Sequence, residues 1–159
     1  MKILGIDPGS IYCGYSLINV SPNPYSKKID YMSSGRIAMS AKNPLHERLK
    51  TLFTTLNEIF AEYKPDEIAI EKMFFAKGTK AAISMGHTRG VVLVAAALTG
   101  MPIFEYSALQ VKKAVVGYGK ADKNQVQSMV AQILNIRHKL SSDSADAIAL
   151  AICHAHTRR

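Results

Sequence analysis

Two short apolar runs in this 159-residue chain each end at an acidic residue. Residues 3–6 (Ile-Leu-Gly-Ile) precede Asp7, and residues 68–70 (Ile-Ala-Ile) precede Glu71. Continuous apolar runs this short, bounded by turn residues such as Pro8 and Gly9, are typical of buried strands. The pattern therefore predicts two strands that each carry a carboxylate at the carboxyl end, where packing alone does not favour one.

The rest of the chain alternates between strand-like and helix-like segments. Strands are predicted at residues 2–7, 12–20, 30–38, 67–71 and 103–106, the first two joined in a hairpin through residues 8–10. Helices are predicted at residues 44–63, 76–98, 108–116, 123–134 and from Ser141 or Ser142 to about residue 154. The first helix has apolar residues at a 3.6-residue period, and Gly86 and Gly90 in the second indicate close packing or a bend.

This order of elements predicts the fold. Three strands followed by helices that alternate with strands are typical of an α/β protein with a five-stranded mixed sheet and helices on both faces. A chain of this length, with 48% hydrophobic residues, can bury a core of its own, and no linker or repeat divides it. We therefore expect one domain spanning residues 1–159.

The charge balance points to a polyanionic partner. The formal net charge is +8 at pH 7, which favours nucleic acid first and an anionic membrane surface second. No segment approaches the roughly 20 apolar residues of a membrane helix, and no signal-peptide pattern is present, so a cytoplasmic protein is expected. Cys13 and Cys153 are expected to be reduced thiols, and the five histidines show no spacing that indicates zinc.

A second pair of acids opens the last predicted helix. Asp143 and Asp146 are three residues apart and share a helix face, in a segment otherwise made of Ser, Ala, Ile and Leu. Ligands of an open α/β sheet bind beyond the carboxyl ends of its strands, where Asp7 and Glu71 are predicted. If the last helix packs there, four carboxylates meet, and Mg²⁺ or Mn²⁺ suits such oxygen ligands. Two ions about 3.5–4 Å apart can activate a water and stabilise the leaving oxygen of a phosphodiester.

Each acid taken alone has a plainer explanation. An Asp before Pro-Gly is commonly a turn residue, a Glu at a strand end is commonly solvated, and Asp143 near a helix start is favoured by the helix dipole. Asp146 is harder to explain structurally, because Ala145, Ala147 and Ile148 surround it with apolar side chains. The prediction of a metal site therefore depends on the set and not on any one member.

Basic and aromatic residues accompany the acids. Lys77 and Arg89 follow Glu71, and a second basic group comprises Lys112, Lys113, Lys120 and Lys123. A single lysine is usually a solvated surface group, but two groups beside a metal site indicate a groove that follows a phosphate backbone. Phe74 and Phe75 can stack on unpaired bases for roughly 1–3 kcal/mol each, although Phe75 fits a core position equally well.

Six segments of the chain resemble, in order, the RuvC family of Holliday-junction resolvases. They are residues 5–10 (Gly-Ile-Asp-Pro-Gly-Ser), 69–77, 89–90, 105–112, 115–117 and 143–151 (Asp-Ser-Ala-Asp-Ala-Ile-Ala-Leu-Ala), so the resemblance runs nearly end to end. It implies a ribonuclease-H-like fold, a homodimer, and paired nicks in a four-way DNA junction during recombination and repair. Branch-migration proteins of the same pathway are implied as further partners.

The resemblance also implies a metal site with magnesium held by four carboxylates. Asp7 would bridge both ions, and Glu71 would be the ligand from the fourth strand. Asp143 and Asp146 would complete the metal shell and align the nucleophilic water.

For DNA contacts, the resemblance implies that Phe74, and with it Phe75, stacks on an unpaired base at the junction centre. Lys112 and Lys123 match positions that contact phosphates near the scissile bond. Lys120 and the loop at residues 21–28 do not correspond to any residue that the family pattern fixes.

Two other functions remain open at this point. A ribonuclease-H-like nuclease acting on structured RNA would keep the same acids, and a non-catalytic nucleic-acid-binding module would explain the charge but not the acids. For the homodimer, the helical stretch at residues 76–98, rich in small side chains, is the candidate interface.

Overall fold

The computed structural model describes residues 1–23, 28–72 and 78–158 of the chain. The strands are β1 (Lys2–Pro8), β2 (Tyr12–Val20), β3 (Ile29–Ala38), β4 (Glu67–Glu71) and β5 (Ile103–Tyr106). The helices are α1 (Leu45–Tyr63), α2 (Thr79–Leu98), α3 (Ala108–Val116), α4 (Lys123–Ile133) and α5 (Ser142–Thr157). The predicted elements are therefore present in the predicted order, with boundaries that differ by a few residues.

The strands form one five-stranded sheet in the order β3-β2-β1-β4-β5. The β1–β2 and β2–β3 pairs are antiparallel, whereas β1–β4 and β4–β5 are parallel, which confirms the predicted mixed sheet. Apolar residues of α1 and α2 pack on one sheet face, and those of α3, α4 and α5 pack on the other. The core therefore has two layers, one on each side of the sheet.

Side-chain caps explain why three of the helices begin where they do. Ser107 and Gln110 form a reciprocal capping box at α3, and Asp122 and Gln125 form another at α4. Ser141 accepts a hydrogen bond from a backbone amide of α5, which decides between the two predicted caps of that helix. These caps fix the start of the helices that surround the carboxyl ends of β1 and β4.

Helix α5 lies directly on the sheet because two strand positions opposite it are glycines. A Cβ at Gly5 would lie 2.1 Å from the carbonyl oxygen of Ala147, and one at Gly14 would lie 2.1 Å from that of Asp143. Neither gap accepts a side chain, so the helix backbone touches β1 and β2. As a result α5 is the most extensively buried helix, and its first two turns are held at one fixed height above the strands.

Helix α2 differs from the sequence-based expectation in two respects. The glycines were predicted to mark close packing or a bend, and nothing in the described part of the chain lies within 4 Å of a Cβ built at Gly86 or Gly90, so close packing within this part of the chain is not observed. The helix is also long and apolar enough to cross a membrane, by length and composition only, where no such segment was expected. The helix buries Val92, Ala95 and Ala96 on the sheet, as a core helix does. Its opposite face is apolar and exposed to solvent, and we call it the bare face of α2.

We expect Gly5→Ala to destabilise the fold, because the added methyl group meets a backbone carbonyl that cannot rotate away. Overpacking of this kind costs about 1–3 kcal/mol in the free energy of unfolding, to be measured by urea denaturation. Ser16→Ala is the control at the β2 residue paired with Gly5, because it removes a buried hydroxyl that has no hydrogen-bond partner in the described residues. An unchanged midpoint for Gly5→Ala would contradict the close approach of α5.

Candidate active site

Asp7 and Glu71 lie side by side at the carboxyl edge of the parallel strand pair. The register of β1 and β4 pairs Gly5 with Ala69 and Ile6 with Ile70, and the two acids come next on each strand. Because side chains alternate along a strand, and Ile6 packs on the α1–α2 side, both acids face α5. The prediction that these two acids open onto the same side of the sheet is confirmed.

The first turns of α5 bring two further acids to this edge. A cavity of about 330 Å³ is lined by Asp7, Glu71 and Asp146, together with Lys112 and Lys123. Its remaining walls are apolar side chains of α3, α4 and α5. The cavity is therefore an acidic pocket with lysines at its margin.

Asp143 lies beside that cavity rather than in its wall. Its backbone carbonyl meets the position of a Gly14 Cβ, and its negative charge raises the pKa of Asp7. The other three predicted acids are thus all within electrostatic reach of Asp7, although Asp143 does not line the cavity that the remaining three share.

The carboxylates of the pocket repel one another because several negative charges lie close together. Burial, and after it the negative charges of Glu71, Asp146 and Asp143, raise the pKa of Asp7 from 3.8 to about 7, against the opposing charge of Lys123. Burial also raises the pKa of Glu71, and the charge of Asp146 adds to that effect. A hydrogen bond to the Asp7 carboxyl and the charges of Lys123 and Arg89 oppose it. The pocket therefore favours any group that brings positive charge.

Two basic side chains form ion pairs with the two aspartates of α5. The Lys123 Nζ lies 2.8 Å from a carboxylate oxygen of Asp146, and the Arg36 guanidinium lies 4.0 Å from one of Asp143. As the side chains stand, no three His, Cys, Asp or Glu groups among the described residues are placed to share a metal ion. Lys123 occupies one carboxylate oxygen of Asp146, so joint ligation of an ion by Asp146, Asp7 and Glu71 competes with this ion pair.

The donor chemistry nevertheless fits a divalent cation. Every candidate ligand is a carboxylate, and Mg²⁺ and Mn²⁺ are the ions that such oxygen ligands favour. The raised pKa values of Asp7 and Glu71 show that the fold holds these charges together at a cost in free energy. A bound divalent cation would offset that cost.

The predicted DNA-contacting residues occupy different settings. Lys112 and Lys123 line the acidic pocket, and Lys113 and Lys120 are exposed on α3 and on the loop after it. The predicted positions at residues 74, 75 and 77 lie outside the described residues.

Arg89 is engaged within the chain rather than presented to solvent. Its guanidinium donates a hydrogen bond to the backbone carbonyl of Glu71, pairs with Glu105, and is only 14% exposed. In this arrangement Arg89 supports the end of β4, and hence the position of the Glu71 carboxylate.

Sequence reasoning missed Arg36 as a member of this site. Its guanidinium stacks over the Tyr12 ring at 4.2 Å and faces Asp143. Nothing local in the sequence indicates this role, because the contact depends on α5 crossing β2 and β3. The alternation of β3 would at most have shown which face of the sheet Arg36 shares.

Comparisons with known proteins agree over almost the whole chain. The sequence profile of the family described as "Crossover junction endodeoxyribonuclease RuvC" matches residues 3–154. A relative of that name from Alkaliphilus oremlandii is 49% identical over 158 residues, which are 99% of this chain and 94% of the relative. Another from Saccharophagus degradans is 46% identical over 98% of this chain and 88% of the relative.

Solved structures give the same result for the fold. Thermus thermophilus RuvC superimposes with a TM-score of 0.87 and 32% sequence identity, over 98% of this chain and 94% of that one. The same protein in complex with a Holliday junction substrate matches with a TM-score of 0.87 and 30% identity, over the same shares of the two chains. Together with the observed sheet order, this match confirms the predicted ribonuclease-H-like fold.

The raised pKa of Asp7 has a consequence for stability. A carboxyl whose pKa is higher in the folded state costs no stability below pH 3.8, and the cost grows as pH rises toward about 7. We therefore expect Asp7→Asn to raise the free energy of unfolding by roughly 2–4 kcal/mol at pH 8, and by little near pH 4.

The measurement is urea unfolding of the metal-free protein across this pH range. Glu58→Gln removes an exposed carboxylate of α1 and serves as the matched control, with no expected change. If Asp7→Asn destabilises the protein at pH 8, the crowding of charges described above is wrong.

Proposed function

This chain belongs to the RuvC family of crossover junction endodeoxyribonucleases, and we propose that it resolves four-way (Holliday) DNA junctions by paired nicks. The observation that carries the proposal is the full-length match to Thermus thermophilus RuvC bound to its junction substrate. The acidic pocket lies at the carboxyl edge of β1 and β4, where a ligand of such a sheet binds. The family match favours DNA over structured RNA, and the clustered acids favour catalysis over binding alone.

The proposal includes Mg²⁺, two ions in each site, with Mn²⁺ able to substitute. Asp7, Glu71, Asp143 and Asp146 are the residues that would hold them. When bound there, the ions would help to deprotonate the attacking water and stabilise the leaving oxygen of the phosphodiester.

The chain itself contributes charge and position. Lys112 and Lys123 line the pocket, so they would bind the phosphates on either side of the scissile bond. Lys123 can exchange its bond with Asp146 for one with a DNA phosphate, which frees the carboxylate to turn inward. Arg89 holds the backbone of Glu71 and so would help to keep its carboxylate in position when the substrate binds.

A homodimer is part of the proposal, because two symmetric nicks require two sites related by a two-fold axis. Helix α2 offers the surface: Ile83 and Val94 are exposed, and Leu98 is 72% exposed. A shallow apolar depression between α1 and α2 exposes Gly86 and Gly90, where the bare backbone admits a second helix. This face supports the predicted interface at residues 76–98.

The proposed cellular setting follows from the substrate. A protein that acts on junctions of the bacterial chromosome works in the cytoplasm, beside the proteins that move the branch point. We propose those branch-migration proteins as further partners and no association with a membrane.

Asp7→Asn and Asp146→Asn should each abolish junction cleavage in Mg²⁺. The loss should exceed the roughly 10–100-fold that follows from altering an outer partner of a metal ligand. Junction binding should be retained or become tighter, because each change removes a negative charge that faces the phosphates. Single-turnover cleavage of a mobile four-way junction and gel-shift titration measure the two quantities.

Glu58→Gln should cleave at the original rate in the same assay. Near-normal cleavage by either Asn variant would refute the assignment of that acid. Cutting of an RNA–DNA hybrid or of structured RNA in preference to the junction would refute the substrate.

We expect Val94→Lys to weaken dimerisation, because it places a charge on the bare face of α2. Met32→Lys changes a comparably exposed apolar residue on β3 and is the control. Light scattering at several protein concentrations measures the mass. A dimer that persists for Val94→Lys down to the same dilution as the original protein would place the interface elsewhere.

A further inference from the structure

A second cavity lies at the end of the molecule opposite the acidic pocket. It has a volume of about 800 Å³ and is formed by the start of β3, the segment after α4 and the end of α5. Ile29 of β3 pairs with Val20, near the strand end where β1 begins, whereas Asp7 lies at the opposite end of β1. The proposed function gives this cavity no role.

The groups at its mouth are mainly basic. Lys28, Arg137, His138 and His156 line the cavity and are exposed, and the exposed Lys139 follows them in the chain. The acid in its wall, Asp30, is 3.1 Å from Lys28. Within residues 1–23, 28–72 and 78–158, neither Arg137 nor Lys139 takes part in an ion pair. We call Lys28, Arg137, His138, Lys139 and His156 the distal patch.

The apolar residues of the cavity do not form an open apolar surface. Leu134 is buried, and Ile133 and Ile136 are partly buried against the core of the α5 side. The lining side chains that are exposed are all polar or basic, and they belong to Lys28, Asn135, Arg137, His138 and His156. The cavity therefore favours an anion over an apolar segment of another protein. The acidic pocket, by contrast, presents carboxylates.

The segment that carries Arg137 has a defined backbone path. Asn135 adopts a left-handed conformation with φ of 51°, which asparagine tolerates better than most residues. The amides of Asn135 and Ile136 donate to the carbonyls of Gln132 and Ala131, at 3.2 and 2.9 Å. These bonds close the end of α4 and place Arg137 at a fixed distance from it.

Helix α4 connects the distal patch with the acidic pocket. Its first residue, Lys123, bonds Asp146, and its last residue, Ile133, lines the second cavity. A helix of 11 residues spans about 16 Å. Both cavities lie on the α5 side of the sheet, so a linear polyanion can reach them together. Phosphates of one DNA strand are about 3.4 Å apart, so this distance corresponds to roughly five base pairs.

We propose that the distal patch binds the phosphate backbone of one duplex arm of the junction, roughly four to eight base pairs from the cut. This inference rests on the proposed function for the identity of the polyanion. The patch adds affinity and orients the arm along α4, and it takes no part in the chemistry. Each phosphate that it neutralises releases counterions, so it steepens the salt dependence of binding by about 0.9 per phosphate.

The test pairs a protein change with a DNA change. Arg137→Gln removes one charge of the patch, and Arg137→Gln with Lys139→Gln removes two. The junction carries uncharged methylphosphonate linkages roughly four to eight base pairs from the cut in one preparation, and near the arm end in another. Fluorescence anisotropy without divalent metal gives Kd at several salt concentrations, and single-turnover cleavage in Mg²⁺ at saturating protein gives the rate.

Several results are expected together. Arg137→Gln weakens binding to the unmodified junction and lowers the salt slope by about 0.9 for each phosphate that the variant no longer neutralises, and the double change lowers it further. Methylphosphonates roughly four to eight base pairs from the cut weaken binding of the original protein but affect the double variant much less, because that variant has lost two basic groups of the patch that have no ion-pair partner among the described residues. Lys64→Gln, which removes a charge from the α1 side of the sheet, leaves affinity and slope unchanged. The saturating cleavage rate is the same for all these proteins.

Two results would overturn the proposal. One is an unchanged Kd and salt slope for the double variant, which would show that the patch does not bind DNA and would favour an acidic protein as its partner. The other is an equal effect of the methylphosphonates on the original protein and on the double variant, which would place the DNA elsewhere. Neither outcome resembles failure of the proposed function, in which the original protein itself would leave the junction uncut.

Discussion

The contact between α5 and the two strands beneath it sets the geometry of everything else. Gly5 and Gly14 allow the helix backbone to rest on β1 and β2, with no side chain between them. That contact places the first turns of α5, with Asp143 and Asp146, beside the strand ends that carry Asp7 and Glu71. The parallel register of β1 and β4 supplies the other half of the arrangement, because it brings two acids from distant parts of the chain to the same edge. Packing and chemistry are therefore set by the same few backbone contacts.

The resulting pocket is unfavourable for the metal-free protein, and the structure shows how the chain tolerates it. Asp7 is shifted toward its neutral form, and Lys123 and Arg36 hold the two aspartates of α5. In the proposed function, Lys123 at the margin of the pocket would exchange its ion pair with Asp146 for one with a DNA phosphate. A basic protein with an acidic centre is thus consistent with the proposed nuclease, in which the lysines would bind the backbone and the acids would mark the cleavage point. The distal patch would add further basic residues that bind the DNA backbone, at the other end of α4 from the acidic pocket.

Much of this could be predicted from the sequence, because the relevant signals are local. Short apolar runs ending at Asp7 and Glu71 indicated the two central strands, and the three-residue spacing of Asp143 and Asp146 placed both on one helix face. The bare face of α2 shows the limit of such reasoning, since a glycine inside a helix does not tell whether its neighbour belongs to the same chain. The end of α5 shows another limit. The helix was expected to end near His154 but continues to Thr157, whose hydroxyl bonds the carbonyl of Cys153.

Contacts between distant residues account for what the sequence did not reveal. His154 is fully buried and hydrogen-bonded to Tyr106 and to Glu67, each at 2.6 Å, so it ties α5 to β5 and β4. These partners are 48 and 87 residues away along the chain, and no local pattern indicates them. Arg36 and Asp143 are a similar case.

The most direct test of the central claim, that acids from two strands and one helix form a single divalent-cation site, is an anomalous diffraction measurement on crystals soaked in Mn²⁺. The account predicts anomalous density about 2.0–2.2 Å from carboxylate oxygens of both Asp7 and Glu71, with the Asp146 carboxylate turned away from Lys123. Mn²⁺ bound elsewhere, with these two carboxylates unliganded at saturating metal, would contradict it.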